Sequence, residues 1–311
     1  MQILNCFLLL LPVILGFSPS FAPDFKGKVV LVTGGSEGIG YATSLQLARR
    51  GAYVVFCARD SNASWFNGSS AQSSINADFL VTMNKGSARF FKADVRKAQE
   101  VRAFIQYAHD LYGRIDHAVN NAGIGGYSFN IVDLQDEHLL SEYDPILNNL
   151  YGAINCIREE AKYWYKYGNP NQTYSIVTIS SQNGVQSCPG CSLYAASKYG
   201  IIGVVKSAAL EFINVKPKIR INAICPGLVD TSLTRNQVKI EMFNQQSWEG
   251  EYIDENSPLW PPFKAKWEAM LPGKRMARPE ELAKAIISVL DNENSYLNGA
   301  VISVDDGGTD Q

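Results

Sequence analysis

The sequence predicts an α/β domain built on one open, mostly parallel sheet with helices on both faces. Short β-branched runs recur along the chain with helical stretches between them, and the first run enters a glycine turn that opens directly into a helix. Size agrees: 311 residues, 46 % apolar and 11 % aromatic, suit one large domain with a substantial core. Lys plus Arg number 28 against 30 Asp plus Glu, and the resulting charge of −2 excludes a disordered polyelectrolyte and a basic nucleic-acid coat. Six Cys are too few for a disulfide scaffold, and three His (109, 117 and 138) argue against a metal centre, so no metal site is expected.

The folded part begins near Phe25. Lys28 to Thr33 reads as a buried parallel strand that runs into Gly34-Gly-Ser-Glu-Gly38-Ile-Gly40. Tyr41 to Arg50 reads as a helix stopped by Gly51, and Ala52 to Cys57 as the next strand, which together make a candidate dinucleotide-binding unit. Taken alone, the glycines fit either tight packing at a strand-to-helix turn or a phosphate cradle. The second is favoured because the turn follows the first strand and the helix start supplies unpaired N–H donors. Ser61 to Asn76, rich in Ser, Asn and Gly, reads as a loop or a ragged helix. Further strands are expected at 88–93, 115–119, 175–179, 219–224 and 301–304, with helices near 97–112, 142–165, 194–214 and 279–290. A Tyr- and Asn-rich stretch, Tyr163 to Tyr174, reads as a long connection before the fifth strand.

Two segments stand apart. Residues 1–22 lack any charged side chain, and Cys6 to Phe17 is an apolar run of 12 residues followed by Ser20 and Ala22. That run is too short for a membrane span but has the length of a signal-peptide core; a membrane-surface anchor or a buried arm are the other readings. Residues 23–311 would then form the single folded domain. Within it, 233–270 carries Phe243, Trp248, Tyr252, Trp260, Phe263 and Trp267 among three prolines. It reads as a substrate lid, since it follows a predicted C-terminal strand edge, or as an excursion packed by its own aromatics.

Five motifs, in order from about Lys26 to Gly308, resemble the classical short-chain dehydrogenase/reductase (SDR) family. They are Thr33-Gly-Gly-Ser-Glu-Gly-Ile-Gly40, Asn120-Asn-Ala-Gly123, Tyr194-Ala-Ala-Ser-Lys198, Cys225-Pro-Gly-Leu-Val-Asp-Thr231, and the closing Tyr296 to Gly308 segment. The resemblance implies a Rossmann-type doubly wound fold and an NAD(P)-dependent oxidoreductase acting on CH–OH groups. It implies Tyr194 as general acid or base, Lys198 as its partner, Ser181 as the hydroxyl that holds the substrate oxygen, and Asn149 as holder of a relay water. Ser180 is the alternative serine, but Ser181 lies 13 residues before Tyr194 and fits the family spacing better. Residues four apart share a helix face, so the Lys198 ammonium should lower the Tyr194 phenol pKa.

For the cofactor, the resemblance places Gly34, Ser36, Glu37, Gly38, Ile39 and Gly40 in the phosphate turn and Asp94 and Val95 at the adenine. Asn121, Ala122 and Gly123 would line the cleft, with Pro226, Gly227, Val229 and Thr231 against the nicotinamide carboxamide and pyrophosphate, beside Tyr194 and Lys198. At the end of the second strand stands Ala58, where NAD-preferring relatives carry a carboxylate, followed by Arg59. A guanidinium fork there favours NADP (NADPH) over NAD, with Glu37 a mild dissent. The substrate is expected to be an apolar carbonyl or secondary alcohol, lipid-, steroid- or retinoid-like, held by Gly125, Gly126, Tyr127, Phe129, Leu193, Phe243 and Trp248. Cys188 and Cys191 either form a small disulfide on the pocket rim or are two incidental thiols around a Pro-Gly turn. A homodimer or homotetramer is implied through the helices at 142–165 and 194–214. A catalytically silent NADP-binding scaffold on the same fold is the alternative function. Sequons at Asn62, Asn67 and Asn171, together with the signal-like start, point to the secretory pathway or endoplasmic reticulum, the alternative being the cytoplasm.

Overall fold

A computed structural model describes residues 24–59, 67–126, 128–236 and 254–309. The readings of residues 1–22, Asn62, Tyr127, Phe243, Trp248 and Tyr252 lie outside them. Seven strands form one all-parallel sheet: β1 (Val29–Thr33), β2 (Tyr53–Ala58), β3 (Ser87–Lys92), β4 (His117–Asn120), β5 (Thr173–Ile179), β6 (Lys218–Pro226) and β7 (Val301–Val304). Their order across the sheet is β3-β2-β1-β4-β5-β6-β7. The direction of winding reverses between β1 and β4, and the C-terminal ends of those two strands open the crevice in which such sheets bind ligands.

Both faces of the sheet are covered, and strand alternation shows how. In β1, Val29 and Leu31 join the core under α4 (Ala98–Tyr112), α5 (Gly152–Tyr167) and α6 (Ser192–Phe212). Val30 and Val32 join the core under α1 (Gly38–Arg49) and α8 (Pro279–Leu290). A strand buried on both sides needs the unbroken apolar run Val-Val-Leu-Val that the sequence supplies.

Two connections refine the expectation. Of the two readings of Ser61–Asn76, a loop or a ragged helix, the second holds for its later part, where Gly68–Ala77 forms the regular helix α2, followed by the short α3 (Phe79–Met83). Asn67 Oδ1 caps α2 by accepting from Ser70 N at 2.8 Å, and Ala71 and Ile75, four apart, supply its buried face. The polar residues that suggest a loop instead cover the open edge of β3. Gln72 Oε1 accepts from Phe90 N at 2.8 Å, and the Asn76 amide bonds both N and O of Ala88. The second difference is α5, which continues through Tyr167, so only 168–172 connect it to β5. Trp164 is fully buried, and its Nε1 donates to Ile115 O at 2.9 Å.

One buried cation joins strand to helix. Arg220, inside β6, has no solvent exposure, and its guanidinium donates to Asp291 O at 2.8 Å and Leu297 O at 3.0 Å, with longer bonds to Val289 O and Leu290 O. It thereby satisfies carbonyls that the C-terminus of α8 leaves unpaired.

Candidate active site

The glycine turn between β1 and α1 is shaped by close approach. Gly34 has φ +64°, and a Cβ there would lie 2.9 Å from Ala122 Cα; at Gly40 a Cβ would collide with the Gly34 carbonyl. The Asn121-Ala122 segment is stapled to this turn. Thr33 Oγ1 accepts from Asn121 N and Ala122 N, both at 3.1 Å, while Asn121 Nδ2 donates to Thr33 O and Gly34 O. The N-terminus of α1, with no acidic residue in its first turn, faces the cleft. Bare glycine backbone beside free helix N–H groups is a cradle for a pyrophosphate, so the residues present fit a dinucleotide.

The cleft has a volume of about 950 Å³. Gly34, Ser36, Glu37, Gly38, Ile39, Arg59, Asp94, Val95, Asn121, Ala122, Gly123, Pro226, Gly227, Val229 and Thr231 line it, as do Ser181, Tyr194 and Lys198. Gly40 and Asn149 lie behind the wall. Glu37 is tied across the mouth, its Oε2 accepting from Ser232 Oγ at 2.7 Å.

At the adenosine end of the family pattern, Arg96 also lines the cleft, and no motif had singled it out. It grips Asp94 with Nη2 to Oδ2 at 2.5 Å and Nε to Oδ2 at 2.9 Å. Burial pushes the Asp94 carboxyl up, but the hydrogen bonds from Arg96 outweigh it and hold the group below the usual carboxylate range, with Arg59 adding to the pull.

The tyrosine, lysine and serine come from two elements that meet at the cleft floor. Ser181 follows β5; its Oγ accepts from Asn183 N at 3.1 Å and lies near enough to the Tyr194 hydroxyl to favour its ionised form. Ser180 also lines the cleft but donates to Lys198 O at 2.8 Å, so its hydroxyl hydrogen is committed to the α6 backbone. Lys198 Nζ donates to Ile179 O at 3.0 Å and stands 5.6 Å from the centre of the Tyr194 ring. Burial depresses Lys198 to about 8, partly offset by Cys225. Burial raises the Tyr194 pKa and the Ser181 hydroxyl offsets this in part. Lys198 directs its ammonium N–H to the Ile179 carbonyl, and no hydrogen bond joins it to the phenol oxygen.

Asn149 lies in a π-helical turn, Ile146–Tyr151, that replaces the first part of the helix expected from 142. The wider turn buries two consecutive asparagines. Asn148 Nδ2 donates to Glu142 O at 2.7 Å. Asn149 is fully buried; Nδ2 donates to Ile124 O at 3.0 Å and Ser197 Oγ at 3.1 Å, and Oδ1 accepts from Ile124 N at 2.8 Å. Both amide hydrogens are therefore committed, and only the second lone pair of Oδ1 is open to a relay water.

The expected substrate residues divide. Gly125 lines the cleft; Gly126 packs against Pro145, Phe129 stacks on His138 at 4.4 Å, and Leu193 does not reach the wall. Ile124, Pro189, Leu228, Leu233 and Trp267 supply further apolar wall, beside polar Ser128, Gln182 and Asn183. Trp267 belongs to α7 (Trp260–Glu268), where Trp260, Phe263 and Trp267 pack with Met276, so this part of 233–270 is packed by its own aromatics and also reaches the cleft. Its base is pinned by Asp230, which takes Lys264 Nζ at 2.8 Å and Arg235 Nη2 at 2.8 Å. Cys188 and Cys191 are joined as a disulfide on the cleft wall. No group of His, Cys, Asp or Glu able to hold a metal occurs among the described residues.

A parallel sheet whose switch point opens onto a cleft of this kind defines a dinucleotide-binding α/β oxidoreductase of the Rossmann type. The chain belongs to the short-chain dehydrogenase family, whose model, described as short chain dehydrogenase, matches residues 28–241. It is 31% identical over 292 residues to a 3beta-hydroxysteroid dehydrogenase of Mediterraneibacter gnavus, covering 92% of this chain and 96% of the relative. It is 32% identical over 288 residues to a 3-oxoacyl-[acyl-carrier-protein] reductase of Thermotoga maritima, covering 91% and 98%. Among solved structures, levodione reductase superposes with a TM-score of 0.76 at 26% identity, covering 92% of this chain and 99% of that one. An actinorhodin polyketide ketoreductase with NADPH superposes with a TM-score of 0.73 at 26% identity, covering 91% and 98%. The protein is an NAD(P)-binding oxidoreductase of a family acting on hydroxyl and carbonyl groups.

Proposed function

We propose that the protein interconverts a ketone and a secondary alcohol on an apolar small molecule, with NADP(H) as the hydride partner. The observation that carries this reading is the meeting of Tyr194, Ser181 and Lys198 at the floor of the cleft, beside the glycine turn. When bound, the nicotinamide supplies or accepts hydride at the substrate carbon. Ser181 Oγ holds the substrate oxygen in line, and Tyr194 Oη passes a proton to it in reduction or takes one in oxidation. Lys198 offers its ammonium to the ribose hydroxyls and, once turned from Ile179 O, favours the tyrosinate. Asn149 locks Ile124 to α6 through Ser197 and offers Oδ1 to the relay water.

Preference for NADP(H) is supported by Ala58 and Arg59 at the end of β2, where a carboxylate would repel a 2′-phosphate. Arg96 adds a second guanidinium on that wall. The apolar substrate class is supported by Ile124, Leu228, Leu233 and Trp267, with 233–270 as its cover, and the relatives named for hydroxysteroid, levodione and polyketide chemistry agree with it. Exposed Tyr151, Tyr165, Tyr199, Leu210 and Ile213 on α5, α6 and their ends support pairing of subunits through that face. A secretory or membrane-proximal site of action is supported by the uncharged apolar start and by exposed sequon residues Asn67 and Asn171. No helix among the described residues is long and apolar enough to cross a membrane.

The deciding experiment screens the purified full chain against cyclic and long-chain ketones and their alcohols, with NADPH and with NADH, following nicotinamide absorbance. Turnover of at least one ketone with NADPH preferred is the expected result. Tight NADPH binding with no turnover across the panel would replace this reading by the silent scaffold.

A further inference from the structure

The cleft wall holds a disulfide that hydride transfer does not use. Cys188 and Cys191 form a disulfide with Cα atoms 5.7 Å apart, whereas Cys57, Cys156 and Cys225 are free and buried. Cys188 is exposed and Cys191 half-buried, so solvent reaches the bond. The four-residue ring turns on Gly190 at φ +78°, with Cys191 N donating to Cys188 O at 3.3 Å.

Three separate pieces of the cleft are fastened to this ring. Phe129 N donates to Gly190 O at 3.1 Å, and Phe129 pairs with Cys191 as an isolated parallel bridge. Asn183 Nδ2 donates to Cys188 Sγ at 3.6 Å, two residues after Ser181. Cys191 is the residue before α6, and Ala195 N donates to its carbonyl at 2.7 Å, next to Tyr194. Opening the ring therefore releases the substrate rim at its junction with the catalytic helix and touches nothing on the glycine-turn side.

We infer that Cys188-Pro-Gly-Cys191 is a thiol–disulfide exchange site for a dithiol reductant, and that its state sets how firmly the substrate end of the cleft is ordered. A thiolate of the dithiol attacks Cys188 Sγ, the exposed sulfur. The S–S bond breaks, and its electron pair leaves with Cys191 Sγ as a thiolate, at a helix N-terminus whose N–H groups favour an anion. The second thiolate of the dithiol attacks its own sulfur in the mixed disulfide, releasing Cys188 and closing a disulfide on the reductant. Two electrons pass to the protein, and its two thiolates take up the two protons the dithiol gave up. Oxidised dithiol of the same class reverses the exchange. In the reduced state the rim must be ordered by the substrate itself, which weakens substrate binding while the dinucleotide cradle keeps its shape.

The test uses the full chain, prepared without reductant, with dithiothreitol as the dithiol. Maleimide labelling read peptide by peptide should leave Cys188 and Cys191 unmodified before dithiothreitol and label both after it. Hydrogen exchange should quicken at 128–130 and 183–193 on reduction and slow again on reoxidation, with the NADPH Kd unchanged. The effect on turnover rests on the proposed function: KM for the ketone should rise about three- to tenfold on reduction. The Cys188→Ser/Cys191→Ser variant should show the reduced behaviour whether or not dithiothreitol is present. Labelling before reduction, equal exchange in both states, a matching change in NADPH affinity, or a dithiothreitol effect that persists in the double variant would each overturn the inference. Labelling and exchange need no turnover, so they decide it even if no substrate is found.

Discussion

Glu160 offers a stability test whose sign and size follow from its surroundings. It lies on α5, 3% exposed, close to Cys57 and Cys156, and its only hydrogen-bond donor among the described residues is Asn120 Nδ2 at 3.0 Å. Burial pushes its carboxyl from 4.5 up to about 7, and the Asn120 bond offsets only part of that. Because the folded value is the higher one, the native state binds more protons than the unfolded chain between these values. The stabilisation is therefore complete below about 4.5 and lost as pH rises through about 7. The gap corresponds to about 3 kcal/mol carried as a cost on the alkaline side. Glu160→Gln keeps the shape and the acceptor, removes the charge, and brings an amide N–H beside Asn120, whose Oδ1 is buried without a partner. Urea unfolding at about pH 5 and about pH 8.5 should show the variant's advantage over wild type growing by about 2–3 kcal/mol between the two. An advantage that is constant with pH, or that shrinks, would refute the argument, because no other group changes between the two proteins.

Three further outcomes are expected. Tyr194→Phe keeps the ring and removes the proton, so kcat should fall by about 10²- to 10⁴-fold while the NADPH Kd stays within about twofold; retention of about a tenth of wild-type kcat removes Tyr194 from the acid–base role. Arg59→Asp exchanges a charge-assisted bond for repulsion and should move the NADPH-to-NADH ratio of kcat/KM by about tenfold or more, an unchanged ratio meaning that Arg59 points elsewhere. In cells of its own kind, the full chain should lose mass on glycosidase treatment and begin near Pro23. Asn67 caps α2 through Oδ1, which leaves its Nδ2 for the sugar. An unglycosylated product starting at Met1 in the cytosolic fraction would sink the secretory reading.

Most of the seven strands were legible as short runs rich in β-branched residues, β3 through Phe90 and Phe91 instead, and the parallel sheet follows from the helical crossovers between successive strands. The cleft residues were legible through motif spacing, which also separated Ser181 from Ser180. What the sequence concealed was polar structure serving a geometric purpose. Gln72 and Asn76 look like loop residues until β3 presents an unpaired edge to them. Arg96 looks like an ordinary surface arginine until Asp94 folds it into the wall. The direction of the Tyr194 shift was hidden for a related reason: helix periodicity places Lys198 beside the phenol, but cannot show how deeply the fold buries that phenol. On 124–129, where Ile124, Gly125 and Ser128 do line the cleft, Gly126 and Phe129 depart from the expectation because loop residues follow local packing, here Pro145 and His138, and not a period.

Arg220 gives the domain an unusual division of labour. Its hydrogen-bond partners at α8 and before β7 are carbonyl dipoles, so the bonds holding β6 in place have no acceptor to protonate, and the Asp291 carboxylate acts on the guanidinium through its charge alone. The rim is built otherwise: Asp230 meets Lys264 and Arg235 in pairs that are 15–36% exposed, where a Debye length of about 8 Å at physiological salt weakens them. Ionic strength thus becomes a dial on the mouth of the cleft while its foundation stays fixed. Substrate KM should drift with salt over a range in which the melting temperature does not.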